Sequence, residues 1–354
     1  MKIGIITFHR AINYGAVLQC YALQCVLQKR GYDVQIVDYR QPHTEITYST
    51  FSFSVFLKRI KSFRFKDVVL YILHTKKRYI KKKKFKFFWK SFLNVSDANY
   101  DSASGIKGFD YYVIGSDQLW NQFCTGGYDP VYWGNFDNSI RKMTYAISTN
   151  VPMLEQIPSD RVRHDLANFE CILCREMEVA KYIRNTKSTT VTVDVAIDPT
   201  LLLSPNDWKG VFNSIPLPTC KYVLTYSVRG DNNLLVNIAN KFVKEGLVVK
   251  NIDYKVSPQE FLSLIFHADC VITSSFHATV FSVIFKRPFW SIKYGDSYDA
   301  RYVNLLTHLG LQKQLVTLDF MPYIPVIEYK EAQGKLDNLR HDSLNKLISN
   351  LEYD

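Results

Sequence analysis

Apolar positions along this chain follow two alternating spacings. Short β-branched runs give way to stretches with helical apolar periodicity, and polar turns separate them. "KIGIIT" predicts a strand, "FHRAINYG" a polar turn and "AVLQCYALQCVLQKR" a helix stopped by Gly31, and "VQIVDY" is a second buried run. This is a Rossmann-like βαβ opening. The turn after the first strand lacks GxGxxG, which removes the main support for a dinucleotide-dependent enzyme. It offers Asn13, Tyr14 and Gly15 instead, immediately before the helix, where backbone N–H groups can face a ligand. The same residues equally suit a plain helix cap and turn.

Residues 41–100 are long-sidechained and basic with weak helical periodicity, and read as a helical insertion. Strand patterning resumes in "FDYYVIGSDQLWN", where the apolar run Tyr111 to Ile114 ends in Gly115, Ser116, Asp117 and Gln118. Polar groups thus emerge at the carboxyl end of a presumed parallel strand, the edge where open α/β sheets bind ligands. "MTYAIST", "ECILC" and "TVTVDVAIDPT" supply three further strands, and Arg175 directly follows the second and begins a helical run.

A second doubly wound unit starts near residue 220. "KYVLTYS" and "LVVKNID" read as strands around the helical "NLLVNIANKFVKEG". "SPQEFLSLIFHA" carries a strong helix start, with Ser257 as N-cap, Pro258 first in the helix and Glu260 three residues after the cap. "DCVIT", then "SSFH", then the short helix "ATVFSVIFK" and the run "PFWSIK" complete the pattern. "LLLSPNDWKGVFNSIPLPT" (201–219) reads as the linker between two α/β halves. The expected architecture is two Rossmann-like domains facing across a cleft. The first spans 1–205 with the insertion at about 41–100, the second spans 206–330, and 331–354 forms a C-terminal helix.

Composition agrees with that division. The 354 residues are 47% hydrophobic and 14% aromatic, more than one core usually needs. No apolar run approaches the ~18 residues of a membrane span, and "MKIGIITFHR" breaks its apolar run with His9 and Arg10, so a cytoplasmic location is expected. Seven cysteines at irregular positions do not form a disulfide framework, and Cys171 and Cys174 lack a second pair or a histidine at zinc spacing. Nothing forms a carboxylate cage either, so no metal is expected. The net charge of +11 is concentrated: "KKRYIKKKKFKFFWK" (76–90) holds nine Lys or Arg and no acid. Its interleaved aromatics suit an anionic lipid surface at the inner face of a membrane, a diphosphate-bearing substrate or nucleic acid. They also suit a solvated helix whose aromatics face the core, and no nucleic-acid module accompanies them.

His277 is predicted at the carboxyl end of a strand and in the first turn of the next helix, beside Ser274 and Ser275. Hydroxyls, helix-start amides and an imidazole that exchanges protons near neutral pH suit an anion such as phosphate. The alternative is a buried helix-cap histidine. His9, His43, His74, His164, His267, His308 and His341 show no paired spacing and read as structural or exposed.

"ITFHRAINYGAVLQCYALQ", "YYVIGSDQLWN", "CREMEVAKYI", "AIDPTLLL" and "TSSFHATVFSVIFKRPF", in that order, resemble the polysaccharide pyruvyl transferase family over about residues 1–310. The resemblance implies a fold similar to the GT-B glycosyltransferases, with the acceptor on the N-terminal domain and the donor on the C-terminal one. It implies transfer of pyruvate from phosphoenolpyruvate, as a ketal, onto a sugar of a surface or capsular polysaccharide or its polyprenyl-diphosphate-linked precursor. Phosphate is released, and no cofactor is needed beyond that co-substrate. His277 in "SSFHAT" then matches the family histidine that contacts the donor and transfers a proton. Arg175 in "CRE" matches a cation for the donor's carboxylate or phosphate, a role suited to a guanidinium fork; its alternative is a helix-face pair with Glu178. Asp117 falls in the cleft motif as a base or an N-cap. Ala278 departs from the usual glycine, and Lys293 and Arg301 both qualify as a further donor cation.

Three other readings stay open. They are a nucleotide-sugar glycosyltransferase, a non-catalytic membrane-associated protein of polysaccharide assembly resting on residues 76–90, and an anion-binding sensor.

Overall fold

In the computed structural model, the described residues are 1–51, 65–137, 139–185, 191–216, 218–229, 232–241, 246–296, 299–321 and 323–352. The chain divides into two units, Met1–Leu202 with Asp342–Asp354, and Leu203–His341. Each is built on one parallel sheet.

The first sheet has seven strands, β1 (Lys2–Ile6), β2 (Asp33–Tyr39), β3 (Val95–Tyr100), β4 (Tyr111–Asp117), β5 (Arg141–Ile147), β6 (Cys171–Cys174) and β7 (Thr192–Val195), in the order β3-β2-β1-β4-β5-β6-β7. Helix α1 (Tyr14–Gln28) joins β1 to β2. It is apolar on most sides because it is covered twice, by the sheet and by helix α3 (Phe65–Phe92), whose Phe85 meets Tyr14 and whose Phe88 and Phe92 meet Tyr21. The expected insertion therefore needs correcting. Besides α2 (Pro42–Thr47) and α3, its last residues form β3, paired with β2 through Ile36 and Tyr39. "VSDANY" lacks apolar alternation because it is an edge strand with mostly solvated side chains. Residues 52–64 of the insertion lie outside the described residues.

Helix α4 (Met177–Asn185) follows β6. The span read as a linker is not irregular. Ser204 and Asp207 form a reciprocal capping box that starts helix α5 (Pro205–Phe212), and fully buried Trp208 meets Phe281 edge-on.

The second sheet has five strands, β8 (Tyr222–Tyr226), β9 (Val248–Asn251), β10 (Cys270–Thr273), β11 (Phe289–Ile292) and β12 (Leu315–Val316), in the order β12-β11-β10-β8-β9. Helix α6 (Asn232–Ala239) lies between β8 and β9, and part of its predicted span, 242–245, is outside the described residues. Helix α7 (Pro258–His267) has the predicted capping box: Ser257 Oγ accepts from Glu260 N at 3.1 Å, and Glu260 Oε2 accepts from Ser257 N at 2.6 Å. Helices α8 (Phe276–Ile284) and α9 (Ala300–Leu309) follow β10 and β11.

Helix α10 (Tyr329–Glu352) serves both units. Tyr329 donates to the Arg287 carbonyl in the second, whereas Ser343 accepts from Ile197 N and Lys346 pairs with Asp194 in the first. No helix among the described residues is long and apolar enough to cross a membrane.

Candidate functional site

In the second unit the chain leaves β8 for β9, then crosses β8 to reach β10 and continues outward to β11 and β12. The winding reverses between the paired strands β8 and β10, so the crevice outside their carboxyl ends is the expected ligand position. The residues there are Ser227 after β8, and Ser274, Ser275 and His277 after β10. Ser227 Oγ and Ser274 Oγ share a hydrogen bond of 2.9 Å across the switch point. Thr273 Oγ1 donates to the Tyr226 carbonyl at 2.6 Å and accepts from Ser275 N at 3.0 Å, which turns the chain sharply out of β10. Ser275 Oγ then caps α8 by accepting from Ala278 N at 3.4 Å. Ala278, where the resemblance leads one to expect glycine, is fully buried.

His277 is 8% exposed, in the first turn of α8, with its ring edge-on to Phe276 at 5.0 Å. The guanidinium of Arg301, on α9, lies 6.0 Å from the centroid of Phe276. Arg301 is thus drawn to the neighbourhood of His277, while Lys293 stands one strand over, directly after β11, with its N–H donating to the Val316 carbonyl. Sequence reasoning missed a further cation. Arg229 N donates to Ser227 Oγ at 3.0 Å, and its guanidinium pairs with Asp299 at 2.8 Å and with Asp296, over the ring of Tyr294. Burial works against that guanidinium's charge, but Asp296 and Asp299 outweigh it and hold its pKa above the ordinary value.

The first unit reverses between β1 and β4. Thr7 Oγ1 donates to the Ser116 carbonyl at 2.9 Å, and Gln19 bridges the two strands, donating to Thr7 Oγ1 and accepting from Ser116 N. Ser116 itself is fully buried, its hydroxyl donating to the Ala146 carbonyl at 2.8 Å. Its amide and hydroxyl fasten β4 to α1 and β5. Asp117 ends β4 at φ +86°, a conformation rare for a residue with a side chain, and its carboxylate accepts from Gln118 N at 2.9 Å. Gln118 accepts a weak bond from Cys124 Sγ. Asn13 is an exposed N-cap, accepting from Gly15 N and Ala16 N, whereas Tyr14 and Gly15 are buried, Tyr14 against Phe85.

Arg175 follows β6 with a side chain only 5% exposed. It donates to Asp198 at 2.9 Å, to Ser148 Oγ at 2.6 Å and to Glu176 Oε1 at 3.2 Å. Burial opposes its charge, yet Glu176, Asp198 and Asp117 together raise its pKa above the ordinary value. Glu176 Oε1 also accepts from Ser148 Oγ at 2.7 Å, and Glu176 Oε2 is buried without a hydrogen bond. No local pattern could have revealed Ser148 and Asp198 as partners, which follow the ends of β5 and β7. At the ends of β1 and β2, buried His9 bonds Asp38 at 3.0 Å, and Arg10 and Arg40 share the same carboxylate. Cys171 and Cys174 are buried on β6, and burial pushes the Cys171 thiol up to about 11. Among the described residues no cluster of three or more His, Cys, Asp or Glu side chains is arranged to hold a metal.

Comparison with known proteins adds a family. No curated protein matches the sequence. Among solved structures, the UDP-GlcNAc 2-epimerase from Neisseria meningitidis bound to UDP-GlcNAc is 10% identical, with 100% of this chain and 93% of that chain covered and a TM-score of 0.48. The UDP-GlcNAc 2-epimerase from Methanocaldococcus jannaschii is 12% identical, with 98% and 93% covered and a TM-score of 0.45. The family assignment does not rest on these distant likenesses. The model of the family described as polysaccharide pyruvyl transferase matches residues 13–297, a span that contains Asp117, Arg175 and His277. With most of its length so matched, the chain belongs to the polysaccharide pyruvyl transferase family.

Proposed function

We propose that the protein transfers pyruvate from phosphoenolpyruvate to two hydroxyls of a sugar on a surface polysaccharide or its lipid-linked precursor, forming a ketal and releasing phosphate. The observation that carries this reading is the gathering of Ser227, Ser274, Ser275 and His277 at the switch point of the second sheet, with Arg301 beside Phe276. A helix start, hydroxyls and a nearby guanidinium favour a small anion, and a phosphate monoester meets that description.

Phosphoenolpyruvate is an enol phosphate. Protonation of its methylene carbon leaves an oxocarbenium-like carbon that one sugar hydroxyl attacks; phosphate departs, and a second hydroxyl closes the ketal. His277 is assigned as the general acid, with Ser274, Ser275, Lys293 and Arg301 holding the donor. Asp117 is assigned as the base for the acceptor hydroxyl. It ends β4 with a left-handed backbone, its carboxylate accepts from Gln118 N, and its negative charge acts on Arg175. Arg175 is assigned to the donor's carboxylate or phosphate, a role in which the ligand displaces Ser148 from the guanidinium. The chemistry asks only for an acid, a base and cations, so activity is expected to persist in excess chelator. Action in the cytoplasm, where phosphoenolpyruvate is made, completes the reading.

The test is incubation with phosphoenolpyruvate and a panel of saccharide acceptors. Acceptor-dependent phosphate release, with pyruvate gained by the sugar, is the expected outcome. A folded protein that hydrolyses or transfers nothing from phosphoenolpyruvate across that panel, yet turns over a nucleotide-sugar, would contradict it.

A further inference from the structure

Helix α3 sorts its side chains in an unusual way. Phe85 and Phe88 are fully buried against Tyr14 and Tyr21, which accounts for two of the aromatics in the basic segment. The others are not in the core. Ile72 is 53% exposed, Tyr79 61% and Phe87 62%. At about 3.6 residues per turn, Ile72, Lys76, Tyr79, Lys83, Phe87 and Lys90 recur every three or four residues along one stripe, with Lys86 beside Phe87, and every one of them is exposed. Leu73, 50% exposed, lies at its margin. Large apolar side chains and lysines therefore alternate along a single line, on the side opposite the buried face.

A solvated helix would leave cations on that line and would gain nothing from Ile72, Tyr79 and Phe87. We propose that this face of α3 is a docking surface for an anionic lipid bilayer. Ile72, Tyr79 and Phe87 enter the boundary between headgroups and acyl chains, and Lys76, Lys83, Lys86 and Lys90 meet lipid phosphates. Charge complementarity is the main argument, since residues 76–90 contain nine cations and no acid. The alternation of apolar with basic side chains separates a bilayer from nucleic acid, which has no use for an exposed isoleucine. From Ile72 to Lys90 the stripe runs about 27 Å at ~1.5 Å per residue, long enough to lie along a membrane. The helix is also anchored beside the carboxyl edge of the first sheet. The Lys81 ammonium lies 5.2 Å from the Tyr14 ring centroid, and Arg10, just after β1, lies over Trp89 at 5.9 Å. Docking does not depend on the proposed reaction, because it requires no turnover.

The experiment is flotation of the full-length protein with vesicles of phosphatidylcholine alone or mixed with phosphatidylglycerol, at low and high salt. The expected result is binding to the mixed vesicles, at least tenfold weaker binding to the neutral ones, and loss with rising salt. Two variants, Tyr79→Ser with Phe87→Ser, and Lys76→Gln with Lys83→Gln, Lys86→Gln and Lys90→Gln, each weaken it at least tenfold with Tm unchanged. Failure to float with mixed vesicles at low salt would overturn the proposal. So would binding unaffected by the Tyr79 and Phe87 changes, or binding to duplex DNA as tight as to the vesicles and equally indifferent to them.

Discussion

His277 matters because two strands of the second sheet end beside it while the helix start holds it in place. Removing it while leaving Ser275 as the cap of α8 separates chemistry from folding. His277→Ala is expected to slow phosphate release by about a hundred- to ten-thousandfold with an unchanged Tm, measured in the acceptor-dependent assay. Gly115 is the opposite case, a residue with no chemistry and a strict conformational demand. Its φ is +133°, and an added Cβ would run into the Tyr145 carbonyl oxygen. Gly115→Ala should therefore destabilise the first unit by about 2 kcal/mol or more, read from chemical denaturation. Asp38 makes a statement about pH. Burial works to raise its pKa, but His9, Arg40 and Arg10 hold it well below the ordinary 3.8. A depressed carboxylate contributes stability that is present above about pH 4 and lost as pH falls toward the folded value. At pH 7, Asp38→Asn should cost about 3 kcal/mol, because it leaves Arg10 and Arg40 short of a partner. Below pH 4 the parent should lose stability more steeply than the variant, so that their Tm curves converge.

Elements were readable in the sequence wherever local chemistry sets them. Ser257, Pro258 and Glu260 announced α7, and the apolar runs of β1, β2, β4, β5, β8 and β10 announced the strands. The same kind of start signal at Ser204, Pro205 and Asp207 passed as linker because prolines crowd that stretch, yet it begins a helix that buries Trp208. Trp208→Ala should cost about 3–5 kcal/mol in a thermal or denaturant melt of the second unit. The edge strand β3 left no apolar signature. At the candidate site, the position of His277 was readable because a strand end and a helix start are both local. The buried bonds of Ser116 were not readable, because a strand's end can be read from sequence while the direction of each side chain there depends on partners far along the chain. The partners of Arg175 escaped for the same reason, with Ser148 and Asp198 lying 27 and 23 residues away.

At the scale of the molecule, two parallel sheets each reverse their winding once, and each reversal carries polar residues suited to a ligand. In the first unit these are Asp117 and Gln118, with Arg175 further along the same edge; in the second they are Ser227, Ser274, Ser275 and His277. Family membership names the reaction class, and the donor site we propose lies in the second unit, where Ser227 and Ser274 meet across the switch point. The donor is the central claim. It is tested most directly by the Tm of the purified protein titrated with phosphoenolpyruvate and, in parallel, with nucleotide-sugars, since a ligand of the native state raises Tm by mass action. If phosphoenolpyruvate is the donor, Tm rises saturably with it, the rise is lost in Arg175→Ala, and the nucleotide-sugars give none. A rise with one nucleotide-sugar and none with phosphoenolpyruvate would contradict it.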